Sequence, residues 1–171
     1  MKTAASIASA IDTFIDRFGA ITAWTSFALV LVMATNVLLR YLFSTGSVWA
    51  QELEWHLLVP ISLLGMSYAL RHGEHVRVDI FFARYPERAK IIGEIITALL
   101  SLFVCIVVIR LSIPYVMQSW NYGEGSANPG GIPYRYILKA FIPFGFILFA
   151  LQSLAEAIKW TIKLQDLKAP K

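Results

Sequence analysis

Residues 21–39 read ITAWTSFALVLVMATNVLL, nineteen consecutive positions without a charge. At ~1.5 Å rise per residue, a helix of this length covers about 30 Å, the thickness of a bilayer's hydrocarbon core. Three further apolar stretches follow. Leu53–Leu70 is uncharged from Leu57 onward and carries Glu54 and His56 near its start. Ile91–Ile113 holds Glu94 close to one end and Arg110 close to the other. Ala140–Ala155 is uncharged and lengthens if Lys139 snorkels to one interface and Glu156 sits at the other. Backbone N–H and C=O groups find no water in hydrocarbon, so these stretches are expected to be helices; the alternating pattern of a membrane β-strand is absent. The expected fold is all-α, an integral membrane protein with four transmembrane helices and an N-terminal amphipathic interfacial helix. Residues 1–171 are read as a single membrane domain with approximate spans 20–41, 53–71, 90–113 and 137–159.

Composition agrees with the spans. Hydrophobic residues make up 57% of the 171 positions and charged residues 15%, against about 45–50% and about 25% in soluble domains. The mean hydropathy is +0.62. The single cysteine, Cys105, lies inside an apolar stretch and excludes an intrachain disulfide. With four spans, the termini and the Arg71–Lys90 loop share one side of the membrane. That side carries eleven of the fifteen Lys and Arg, and the other carries only Arg40, Arg110, Arg135 and Lys139. This positive-inside bias predicts cytoplasmic N- and C-termini and explains the net charge of +4 without a nucleic-acid partner. Asp12, Asp16 and Arg17 interrupt the apolar core that a cleaved signal peptide would need.

Residues 4–18 place Ile7, Ile11, Phe14, Ile15 and Phe18 at helical spacing among polar positions. They read as an amphipathic helix on the cytoplasmic leaflet, or else as the solvated start of helix 1. The Arg71–Lys90 loop mixes basic and apolar residues and is expected along the headgroups. Pro86-Glu87 suits the first turn of helix 3. Tyr115, Trp120, Tyr122, Tyr134 and Tyr136 form an aromatic belt at the opposite interface, where Asn128-Pro129-Gly130-Gly131 marks a turn.

Chemistry-bearing motifs are sparse. His56 follows Glu52 by four residues, so the two can pair on one helix face. His72 and His75 lie at the other membrane face, and two histidines with Glu74 in a basic loop do not make a zinc site by themselves. No nucleophile elbow, P-loop or H-E-x-x-H pattern is present, and an apolar helix withholds the activation a catalytic Cys105 would need. The reading is therefore of no enzyme, no cofactor and no metal. Ionisable residues inside the spans cluster within one or two turns of helix ends rather than at the midplane, where a self-sufficient carrier would place them. Gly93, Thr97, Ser101 and Cys105 recur every four residues and are expected to form one stripe of small side chains on helix 3. Such residues let helices approach closely, either within this chain or against a second protein. Candidate partner-interface residues are Arg40, Glu52, Glu54, Gly93, Thr97 and Ser101. The competing reading pairs Arg40 with Glu52 or Glu54 internally.

Helix 2 and its loop read Gln51-Glu52-Leu53-Glu54-Trp55, then Gly65-Met66-Ser67-Tyr68-Ala69, then Arg71-His72-Gly73-Glu74-His75-Val76-Arg77-Val78-Asp79. This run resembles the small membrane subunit (DctQ-like) of tripartite ATP-independent periplasmic, or TRAP, transporters. In that family an acidic residue precedes helix 2, a Gly interrupts it and an R-x-G-x-H-[IV]-x-[VI]-D run follows. Glu124-Gly125-Ser126, Gly130-Gly131-Ile132-Pro133, Lys139, Pro143 and Gln152 extend the similarity over nearly the whole chain. The resemblance implies a bacterial inner-membrane permease subunit for sodium-coupled organic-acid uptake. Its implied partners are a large elevator-type TRAP membrane subunit, for which it is a stationary scaffold, and a periplasmic solute-binding protein. The alternative is the membrane anchor of a b-type cytochrome or redox complex, which would need a histidine pair at one depth.

Overall fold

A computed structural model of the chain describes residues 2–74 and 85–167. Among them are four long helices: α1 (Lys2–Phe43), α2 (Val48–His72), α3 (Glu87–Asn121) and α4 (Arg135–Asp166). Each is long and apolar enough to cross a membrane. The headgroup placement expected for the middle loop, and the motif residues His75, Val76, Val78 and Asp79, fall largely or wholly outside the described residues.

The helix ends follow from local chemistry. Ser47 caps α2, its hydroxyl accepting from the Ala50 N–H. Gly73 ends the same helix in the left-handed region at φ 73°, with the N–H groups of Gly73 and Glu74 returning to the Leu70 and Ala69 carbonyls. A side chain at that φ would be strained, which gives the motif glycine its physical reason. Pro86 precedes α3, and Glu87 opens its first turn where a negative charge meets the positive helix end.

One expectation changes. Residues 4–18 are not a separate interfacial helix but the first turns of α1, which runs unbroken for 42 residues. At ~1.5 Å per residue this is about twice the hydrocarbon thickness. Ile15 is fully buried with Leu64 of α2 and Leu148 of α4, and Ile11 and Phe18 pack beside them. Phe18 meets Phe144 edge to face at 5.6 Å. Protein, rather than headgroups, covers that part of the amphipathic face; Ile7 and Phe14 point outward.

α4 is the hub of the bundle and packs against α1, α2 and α3, while α1 and α2 pack together. At Gly145 an added Cβ would lie 2.7 Å from Leu63 Cβ and 3.0 Å from the Leu63 carbonyl oxygen, so the glycine sets the α2–α4 approach. On α3 the buried positions are Ile91, Ala98, Cys105, Ser112 and Ser119. They recur every seven residues, the repeat of a helix-pair seam, and four of the five are small. The fourfold series Gly93–Thr97–Ser101–Cys105 therefore does not form one stripe. Four residues turn the helix by about 400°, so each step drifts about 40° around the axis. Cys105 is buried, Gly93 and Ser101 are half-buried, and Thr97 is exposed.

Candidate functional site

The two ends of the bundle are built differently. The end bearing the 122–134 loop is called here the cap end, and the other the terminal end. At the cap end Glu52, in the second turn of α2, is only 2% exposed. Its carboxylate accepts from the Ser126 hydroxyl, from Asn128 Nδ2 at 3.1 Å and from the Ile132 N–H at 2.7 Å. Ser126 Oγ in turn accepts the Asn128 N–H at 3.1 Å. The turn places Gly131 against this cluster: a Cβ there would collide with the Ser126 hydroxyl and lie 2.6 Å from Glu52 Oε2. A buried carboxylate is tolerable only when its oxygens meet donors, and here the loop supplies them.

A second tie holds the same loop. Glu124 pairs with Lys139, whose ammonium also lies 4.1 Å from the Tyr115 ring centroid. The Glu124 carbonyl accepts the Arg135 N–H at 2.9 Å, and Trp120 meets Tyr136 edge to face at 4.5 Å. The Lys139 hydrogen bond holds the Glu124 carboxyl below its ordinary value of 4.5. A carboxyl so depressed stabilises the folded cap above its unfolded-state pKa, and that contribution is lost as pH falls through the lower folded-state value. The melting-temperature gap between wild type and Glu124→Gln is therefore expected to be constant near neutrality and to close on acidification below 4.5. A gap unchanged in acid would show that the ion pair contributes nothing.

Of the other sequence candidates, Glu54 accepts from Asn36 Nδ2 at 2.9 Å, which ties α1 to α2 through a nearly buried asparagine. Arg40 is exposed and forms no ion pair among the described residues, so the internal pairing of Arg40 with Glu52 or Glu54 is not the one the structure contains. His56 bonds the Glu52 backbone carbonyl at 2.7 Å rather than the carboxylate. Thr97 and Ser101 line a crevice with Leu70 of α2 and with Ser153 and Glu156 of α4. Glu52 lines a cleft at the cap end between the same three helices. Thus Thr97 and Ser101 border a crevice toward the terminal end and Glu52 a separate cleft at the cap end, both between α2 and α3 over α4, whereas Glu54 belongs to the α1–α2 side.

Sequence reasoning missed the terminal-end clamp. Arg71 meets Asp16 at 2.6 Å and Asp12 at 3.6 Å. Asp12 also accepts from Gln152 Nε2 at 3.0 Å and lies 3.2 Å from Lys159, which pairs with Glu156. Gln152 is fully buried. Three helices are thereby braced at one depth by α1 acids, an α2 arginine and an α4 cluster. A Gln inside an otherwise apolar span was the available signal. Of the described histidines, His56 and His72 lie near opposite ends of α2, sixteen residues apart. That separation is about 24 Å along a helix, too far to share one haem.

Residues 29–162 match the family described as "Tripartite ATP-independent periplasmic transporters, DctQ component". The chain is 30% identical over 158 residues to the ectoine TRAP transporter small permease protein TeaB of Halomonas elongata, covering 90% of this chain and 79% of that one. It is 30% identical over 95 residues to the C4-dicarboxylate TRAP transporter small permease protein DctQ of Vibrio cholerae, covering 56% of this chain and 38% of that one. The isethionate TRAP transporter permease protein DctMQ of Oleidesulfovibrio alaskensis is 27% identical over 135 residues. There the match spans 75% of this chain but only 21% of the relative.

Proposed function

The chain belongs to the DctQ component family of TRAP transporters, as a multi-pass small permease subunit, and from that premise we propose that it is the stationary scaffold of a larger permease. The observation that carries this reading is the distribution of charge. Two clamps of ionised side chains tie the helix ends, Glu52–loop and Glu124–Lys139 at one end and Asp12–Arg71–Lys159 at the other; Glu94 and Arg110 of α3 stand outside them. Lys139 and Glu156 stand seventeen residues apart on α4, about 25 Å, so the clamps bracket the apolar zone. Such an arrangement makes a stiff bundle, with its ion-paired clusters gathered toward the two ends of the helices. The partners are a large membrane subunit that moves the solute and a periplasmic binding protein that delivers it. The role is non-enzymatic, the coupling ion is sodium and the solute is an organic acid. Gly93, Thr97 and Ser101 of α3 would face the large subunit, with the outer charges Arg40, Glu52 and Glu54 helping to orient the cap end.

Reconstituted alone in vesicles, the subunit is expected to give no sodium-driven organic-acid uptake. Uptake should require the large subunit and a loaded binding protein, and saturable sodium-dependent transport by the single chain would overturn the reading. The positive-inside count supports cytoplasmic termini and a cap on the periplasmic side of the inner membrane. In a Cys105→Ser background, Ala127→Cys should react with an impermeant maleimide in intact cells and Glu74→Cys only after permeabilisation. Both positions are exposed, so the reverse pattern would invert the topology.

A further inference from the structure

The cleft at the cap end adjoins the carboxylate clusters that close the loop and shares Glu52 and Lys139 with them. It has a volume of about 290 Å³ and opens between α2 and α3 over α4. This is near the lower end of ligand-pocket sizes, room for a headgroup rather than a large solute. Arg135, Lys139, Tyr115 and His56 line its polar part, and Val59, Leu138 and Ile142 continue it as an apolar wall. Trp120 and Tyr136 pack together beside it, the pair of residue types that marks headgroup depth.

The charges narrow the ligand. Glu52 is covered by three donors and Glu124 by Lys139, so neither carboxylate awaits a cation. Arg135 forms no ion pair among the described residues, although its charge is felt by both carboxylates. Counting Glu52, Glu124, Arg135 and Lys139, the cleft is formally neutral. A bare anion would leave it with an uncompensated charge; a zwitterion would not. His56 adds the second half of the constraint. Its Nδ1 lies 2.7 Å from a carbonyl oxygen and must donate to it, so Nε2 of the neutral ring is a bare acceptor. That nitrogen is buried and has no hydrogen-bond partner. An unpaired guanidinium and an unpaired acceptor over an apolar wall ask for one ligand with an anionic oxygen, an N–H donor and an acyl chain.

We propose that this cleft binds a zwitterionic phospholipid whose headgroup carries a primary ammonium, with the phosphodiester on Arg135, the ammonium toward His56 and an acyl chain along Val59 and Ile142. The proposal requires only that the chain spans a bilayer and is independent of the scaffold role, so the two can fail separately. Native mass spectrometry of the full chain in detergent tests it with three probes at equal concentration: dioleoyl-phosphatidylethanolamine, dioleoyl-phosphatidylcholine and inorganic phosphate. The ethanolamine lipid is expected to bind at least tenfold more tightly than the choline lipid, which lacks N–H donors. Arg135→Gln and Val59→Trp should each lower its binding at least tenfold, while Arg88→Gln, at the terminal end, leaves it unchanged. Circular dichroism identifies any variant that has lost its fold, and either folded variant then decides. Equal binding of the two lipids, phosphate binding alone, or undiminished binding by a folded cleft variant would overturn the proposal.

Discussion

Glu52→Ala is expected to release the 122–134 loop from the bundle and to lower uptake by the assembled transporter at least about tenfold, because it orphans three donors at once. The loop closes on Glu52 from 74 to 80 residues away in sequence, through a hydroxyl, an amide and a backbone N–H. Removing the acceptor leaves the Ile132 N–H and the Ser126 hydroxyl unpaired in a partly buried place, and water is the only substitute. Glu52→Gln should lie between, since its carbonyl can still accept but its amide nitrogen faces donors. Gly131→Ala reaches the same end from the opposite side, by forcing a Cβ into Ser126 and the Glu52 carboxylate. Loop opening can be read as trypsin cleavage at Arg135 in the purified subunit, where wild type should resist. A Glu52→Ala protein that resists trypsin and transports normally would mean that the carboxylate does not hold the cap.

The four spans were legible because hydrophobic length is a local property that no tertiary contact can hide. Residues 4–18 were harder. Their 3.6-residue periodicity records that one face of the helix is covered, and headgroups or a neighbouring helix satisfy it equally well. Only Leu64 and Leu148, 49 and 133 positions after Ile15, decide between them. Glu52 stood out in sequence as a charge beside a span, yet its role did not, since its partners are a hydroxyl, an amide and a backbone N–H with no charge to advertise them. The small residues of α3 misled through their spacing: a series of fours looks like a stripe on paper but winds around the helix, and the true seam repeats in sevens. Arg71 and Gly73 were found by resemblance, and the structure supplies their work, an ion pair to α1 and a left-handed helix end.

Leucine substitutions separate the inside of the bundle from its partner face. Gly145→Leu should destabilise the isolated subunit by roughly 1–3 kcal/mol, the usual cost of overpacking, or more. The atoms it meets include the Leu63 backbone carbonyl, which cannot swing aside as a side chain would. Cys105→Leu on the buried α3 seam should act in the same way. Gly93→Leu, Thr97→Leu and Ser101→Leu differ, because all three positions are exposed or half-buried on α3, and Thr97 and Ser101 line the crevice beside Leu70, Ser153 and Glu156. There the isolated subunit should keep its helicity and nearly its melting temperature, while co-purification with the large subunit is lost. Single interhelical polar contacts in membranes average only about 0.6 kcal/mol, so Ser101→Ala should do far less than Ser101→Leu. If Ser101→Leu melts the lone subunit as Gly145→Leu does, the crevice is internal packing. If the leucine variants at 93, 97 and 101 all assemble and transport normally, the large subunit docks elsewhere.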